Sequence, residues 1–167
     1  MSRVAIFIGS DSDQEVIQEA VRVLEDFGIP YTLEVTSAHR SPGRTLRLIR
    51  KAEEQGAAVF IAAAGKAAHL AGVVAAHTVR PVIGVPVENA ALGGLDALLS
   101  TVQMPKGVPV ATMALGKTGA ANAALLAAQV LALSDPALRD KLEKYKKKME
   151  DKVEEASRKL RGTQDGG

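Results

Sequence analysis

Five short apolar runs, Val4 to Ile8, Tyr31 to Val35, Ala58 to Ala63, Val82 to Val87 and Val108 to Leu115, are separated by stretches of helical pattern. Most of the runs are apolar without clean alternation, the pattern of strands covered on both faces. Strand and helix in turn predict a parallel sheet with helices on both sides.

The helix signals agree. Ser12-Asp13-Gln14-Glu15 has the S-x-x-E form of a capping box. Val16, Ala20, Val23, Leu24 and Phe27 follow at helical spacing, and Gly28 with Pro30 ends the element. Ser41-Pro42 supplies a cap and a first-turn proline to the next helix, which Gly56 can terminate. Thr118 to Leu133 is nearly all Ala and Leu around Asn122 and Gln129, so a helix there is expected to be buried. Beyond Asp135-Pro136, Leu138, Leu142, Tyr145, Met149, Val153, Ala156 and Leu160 step by three or four along a charged helix. That single stripe predicts docking on another surface. We therefore expect an α/β domain over residues 1–134, a helical arm over 135–161 that packs on a neighbouring subunit, and a flexible tail over 162–167.

Composition narrows the chemistry. The 167 residues suffice for one domain with a real core. Basic and acidic residues balance up to Ser134, so the net charge of +2 arises beyond it and leaves no nucleic-acid-binding footprint. The absence of Cys removes thiolate nucleophiles, disulfides and thiolate metal sites, and fits a reducing compartment. The chain enters its first strand with no basic region ahead of a signal-type segment, and no apolar run has membrane-spanning length. A soluble cytoplasmic protein with no membrane partner is expected.

Three polar loops follow strand-like runs: Gly9-Ser10-Asp11-Ser12-Asp13, Ser37-Ala38-His39-Arg40-Ser41-Pro42 and Gly65-Lys66-Ala67-Ala68-His69. In open α/β sheets, ligands bind outside the carboxyl ends of the strands where strand order reverses. With a flavodoxin-like order, 2-1-3-4-5, the three loops share one crevice. Gly9 lets a ligand approach the backbone, Ser10 and Ser12 offer hydroxyls near a helix start, and Arg40 can grip a phosphate with two parallel bonds. Asp13 suits sugar hydroxyls. Ser12 also fits a plain N-cap, and Asp13 a plain complement to the helix dipole. His39 can give and take a proton near neutral pH.

Other signals fail. His69 and His77, eight residues apart, would lie about 80° apart around a helix and about 12 Å apart along it. That is no i, i+4 metal pair, so no metal requirement is expected. Gly116-Lys117-Thr118 ends like a P-loop, but Ala111 stands where its first glycine belongs, and no G-x-G-x-x-G follows the first strand.

Taken together, the three loops, Gly65 through Gly72, Gly84-Val85-Pro86-Val87, the Gln103 to Val110 stretch and Gly119 to Ala128 closely resemble the PurE family, the N5-carboxyaminoimidazole ribonucleotide mutases of purine biosynthesis. The likeness runs in register from about Arg3 to Leu133. It implies a flavodoxin-like three-layer αβα sandwich with a five-stranded parallel sheet, assembled as a homo-octamer. The implied reaction moves a carboxylate from the exocyclic nitrogen of the imidazole to ring carbon four, with no ATP, metal or other cofactor. By this resemblance His39 is the proton-transfer residue and His69 faces the CO2 pocket. Ser10, Ser12, Asp13, Ser37, Ala38 and Arg40 bind the nucleotide, with Ser12, Ser37 and Arg40 near phosphate and Asp13 near ribose. Gly65, Lys66, Ala67 and Leu70 wall in the CO2.

A related branch, the aminoimidazole ribonucleotide carboxylases, takes CO2 from solution and carries Ser-Asn where this chain has Ala68-His69. His69 therefore favours the mutase. The mutase pattern has glycine at Ala63 and Lys66 and proline at Ala71, so this chain departs from it three times. Lys66 either holds the carboxylate or points to solvent. A rival of another class is a non-catalytic nucleotide-binding protein, which would keep Arg40 and the serines but have no need of His39.

Overall fold

The computed structural model describes residues 3–88 and 91–164. Residues up to Leu131 form one compact unit and those from Ala132 a second. In the first, β1 (Arg3–Ile8), β2 (Tyr31–Val35), β3 (Ala57–Gly65), β4 (Val82–Val87) and β5 (Ala111–Thr112) form one parallel sheet in the order β2-β1-β3-β4-β5. Between them run α1 (Gln14–Phe27), α2 (Pro42–Glu54), α3 (Leu70–Ala75) and α4 (Leu95–Val102), and α5 (Gly116–Ala132) follows β5. The parallel sheet with helices on both sides expected from the apolar runs is present, in the flavodoxin-like order that the family resemblance implies. Strand order reverses between β1 and β3.

The central strands are apolar because both faces are covered. Val4, Ala5, Ile6, Val59, Phe60, Ile61 and Ala63 are fully buried, and Phe7 meets Phe60 with ring centroids 5.7 Å apart. Burying such side chains stabilises the unit by about 1.5–3 kcal/mol for each large one. The two edge strands differ: β2 is half-buried along most of its length. The fifth strand is far shorter than the Val108 to Leu115 run. Only Ala111 and Thr112 pair, with Ile83 and Gly84. Pro109 has no N–H to give a ladder, which delays pairing until the chain has passed it.

Two helix starts also depart from the expected chemistry. A 3-10 turn, Asp11–Asp13, precedes α1, and Ser10 rather than Ser12 caps it, its hydroxyl accepting from the Ser12 N–H at 3.4 Å. The capping box is therefore not formed. The buried face of α1 is Ile17, Ala20, Val21, Leu24 and Phe27, so the true stripe includes Ile17 and Val21 where Val16 and Val23 were expected. Gly28 ends the helix in the left-handed conformation, φ 70°. In α2, Pro42 holds the first position, while the Ser41 hydroxyl makes no cap bond and turns back to the Ser37 loop.

The Ala-rich helix α5 buries Ala120, Ala123, Ala124, Ala127 and Ala128 completely, and leaves Asn122 and Gln129 exposed. It is thus covered on one broad face rather than all round. In the second unit, α6 (Pro136–Gln164) carries ion pairs of Lys147 with Glu150 and Asp151 and of Lys159 with Glu155. Met149, Val153 and Leu160 are exposed on it. Residues 165–167 of the expected tail, and residues 1–2 ahead of β1, lie outside the described residues. Among the described residues no helix is long and apolar enough to cross a membrane.

Candidate active site

The reversal of strand order sets the site. At the carboxyl ends of β1 and β3 the chain leaves in different directions and opens a crevice of about 550 Å³. Two glycines make its floor possible. A Cβ on Gly9 would come 3.3 Å from the Ala64 Cβ, and one on Gly65 would come 3.2 Å from the Val87 carbonyl oxygen.

Every candidate site residue named from the sequence lines this crevice. Ser10, Ser12 and Asp13 come from the loop after β1. Ser37, Ala38, His39 and Arg40 come from the loop after β2, and Gly65, Lys66, Ala67, His69 and Leu70 from the end of β3 and the start of α3. Gly9 completes the first loop. Ala64 and Glu88 also line it and carried no sequence signal of their own. Glu88 follows β4, and only its place at a strand end beside the switch point marks it.

The two histidines meet. The Nε2 of His39 lies 2.7 Å from the Nδ1 of His69, with the rings edge to face and their centroids 4.8 Å apart. Both are exposed to the crevice. A separation of 30 residues and two different loops leaves no periodic trace of this contact in the chain. His77 takes no part: α3 ends at Ala75, and the His77 ring bonds back to the Val73 carbonyl at 2.8 Å. Among the described residues no group of three or more His, Asp or Glu side chains could hold a metal ion.

The His39 loop is braced from beneath by hydroxyls. The Ser41 Oγ accepts from the Ser37 N–H at 3.1 Å and donates to the Ser37 carbonyl at 3.2 Å, and the Ser37 Oγ accepts from the Arg40 N–H at 3.1 Å. Below them Thr36 and Thr45, both buried, share a 2.8 Å hydrogen bond, and the Thr45 hydroxyl also reaches the Ser37 and Ser41 carbonyls. The Arg40 guanidinium donates to the Gly9 carbonyl at 3.4 Å, tying the loop to its neighbour.

Two acidic groups line the crevice, Glu88 and Asp13, and Asp13 is the buried one. For Asp13 the surroundings act on the carboxyl itself. Burial pushes its carboxyl above the usual carboxylate range, and bonds from the Ser12 hydroxyl and the Ser10 backbone partly offset this, while Asp11 adds to the rise. Ser12, free of capping, spends its hydroxyl on Asp13 at 3.4 Å.

The departure at Lys66 has a backbone meaning. With φ 56° it is the one non-glycine in the left-handed region among the described residues. Glycine adopts that conformation without strain, which is why a glycine is expected there. Ala71, by contrast, sits without strain in the first turn of α3, buried beside Val74 and Leu70.

A family model described as AIR carboxylase matches residues 3–152. The chain belongs to the AIR carboxylase family. Among its relatives in this family, the N5-carboxyaminoimidazole ribonucleotide mutase of Pyrococcus horikoshii is 54% identical over 157 residues, covering 94% of this chain and 88% of the relative. The protein of the same name from Escherichia coli K12 is 52% identical over 152 residues, covering 91% and 90%. A crystal structure of Treponema denticola PurE superposes with a TM-score of 0.88 at 28% identity, covering 96% of this chain and 99% of that one.

Proposed function

We propose that this chain is an N5-carboxyaminoimidazole ribonucleotide mutase of purine biosynthesis. The observation that carries the reading is the His39–His69 contact of 2.7 Å inside the switch-point crevice. A non-catalytic nucleotide-binding protein needs the phosphate-binding groups but has no use for two imidazoles held nitrogen to nitrogen. High identity to two proteins named as mutases points to the same activity.

In this reading the substrate's N–C bond to the carboxylate breaks, CO2 leaves, and His39 donates a proton to the exocyclic nitrogen. Ring carbon four then attacks the CO2, and His39 takes the proton which that carbon must lose. Carboxylate and proton both change places, and nothing is oxidised or reduced. Ser10, Ser12, Ser37 and Arg40 hold the phosphate at the β1–β2 end, and Asp13 accepts from the ribose. Ala38 packs beside the base, while Gly65, Ala67 and Leu70 wall in the CO2. Orientation of this kind supplies much of the barrier lowering.

The deciding experiment is an assay without metal or ATP that follows 4-carboxyaminoimidazole ribonucleotide formed from the N5-carboxylated substrate. Product from wild type and none from His39→Asn is the expected result. Product only from the unmodified ribonucleotide with bicarbonate would instead make the chain a carboxylase using free CO2.

The working form in this reading is a cytoplasmic homo-oligomer, an octamer, with the α/β domain of residues 1–134 followed by an arm over 135–161 and a short tail over 162–167. Two exposed apolar stripes support assembly: Leu92, Leu95, Leu99 and Val102 at α4, and Met149, Val153 and Leu160 on α6. Truncation after Ser134 is expected to lower the mass measured by light scattering. An unaltered, soluble oligomer would refute a role for the arm.

A further inference from the structure

Lys66 combines three properties. Its backbone is held in the left-handed region, φ 56°, where a lysine is strained. Its side chain is exposed and lines the crevice, and it makes no ion pair or hydrogen bond with any described residue. Glu88 lies on the neighbouring strand end and lines the same crevice, since its predecessor Val87 pairs with Gly65, yet no ion pair joins the two.

The sheet order separates this cation from Arg40. Arg40 stands on the loop after β2 and reaches over β1 to the Gly9 carbonyl, whereas Lys66 stands at the end of β3 on the far side of β1. Each histidine of the pair thus has a cation on its own loop. The surroundings of the two cations differ. Around Arg40 lie the hydroxyls of Ser10, Ser12 and Ser37, suited to a phosphate. On the Lys66 side the crevice is lined by Gly65, Ala67 and Leu70, which offer no side-chain hydrogen bonds, and by His69 and Glu88. An ammonium on this side offers a charge-assisted donor to a carboxylate in the place where the mutase reading puts the migrating group, away from the Arg40 side that suits the phosphate.

Resting on the mutase reading, we propose that Lys66 is a specificity-determining residue that binds the migrating carboxylate, as the second cationic pole of a site for a nucleotide with two anionic groups. The test is titration calorimetry on the full chain with two ligands, 4-carboxyaminoimidazole ribonucleotide and the unmodified aminoimidazole ribonucleotide. Lys66→Met is expected to weaken the carboxylated nucleotide about tenfold and to leave the other within about twofold, while Lys66→Arg restores most of the difference. Retained affinity for the unmodified nucleotide also shows that the variant is folded. Equal weakening of both ligands, or of neither, overturns the proposal while leaving the mutase reading intact. Wild type binding neither nucleotide overturns both.

Discussion

The two loops that present the histidines are built in opposite ways. The loop of His39 rests on side-chain hydroxyls, Ser37, Ser41, Thr36 and Thr45, so its backbone is fixed by many bonds at once. The loop of His69 has no such support. It is held by two tight backbone bonds, Ala68 N–H to the Lys66 carbonyl at 2.9 Å and His69 N–H to the Ala67 carbonyl at 2.8 Å, and it contains the strained Lys66. In the proposed mechanism, over-determination suits His39, which would return to one position after each proton transfer. A loop with few cross-bonds and stored strain suits a wall that must close around a changing ligand.

The comparison can be broken most forcefully at the imidazoles. His39→Asn is expected to lower kcat by about 10²–10⁴, the usual worth of a general acid and base, and His69→Asn by a clearly smaller factor. Equal losses in steady-state assays would mean that the two loops share the proton-transfer task evenly.

The next largest effect should come from the bracing itself. Thr45→Val keeps the shape but takes the 2.8 Å partner from the buried Thr36 hydroxyl, leaving it only a 3.5 Å contact with the Ser41 hydroxyl, at a cost of about 1–3 kcal/mol of stability. It should lower kcat more than it raises KM, and Thr45→Ser should recover both. A variant with full kcat would show that the hydroxyl stack only holds the fold.

A smaller change of opposite sign is expected in the other loop. Lys66→Gly relieves the left-handed strain, with a gain of up to about 1 kcal/mol that the greater freedom of the unfolded chain reduces. Thermal melts should show a raised Tm; a lowered one would mean that the ammonium stabilises the empty crevice.

The smallest effect concerns Asp13. Its carboxyl titrates above the unfolded value because burial disfavours the charge, so its contribution to stability is fully present below the unfolded pKa and is lost as pH rises through the folded one. Asp13→Asn should therefore melt higher than wild type at neutral pH, with the gap closing as the solution is acidified. A gap independent of pH would assign the effect to shape rather than charge.

Much of this was legible in the chain because it is local. The strands β1, β3 and β4 are largely continuous apolar runs and β2 alternates, and the crevice follows from three polar loops at strand ends once the order 2-1-3-4-5 is present. What was not legible depends on distant geometry or on competition between local patterns. Ser12 reads as a cap until a 3-10 turn moves capping to Ser10. The fifth apolar run reads as a full strand, yet pairs at two residues only. The buried Thr36–Thr45 bond joins a strand end to a helix interior, and neither hydroxyl stands out in sequence. The meaning of Lys66 lay in a backbone angle, which no residue pattern spells out.

The 2.7 Å approach of the His39 and His69 nitrogens also sets a proton inventory. Two separate imidazoles hold up to four protons, but only one proton fits between nitrogens this close, so the joined pair holds three at most. In the three-proton state, the Nδ1 of His39 carries a hydrogen and its Nε2 accepts from His69. Giving the Nδ1 hydrogen away lets the shared proton cross to His39, leaving two neutral rings and a bare Nδ1. Loaded with three the pair is an acid, and with two it is a base. A fourth proton would set two N–H groups against each other across 2.7 Å, so the contact itself is closed to the fully loaded pair.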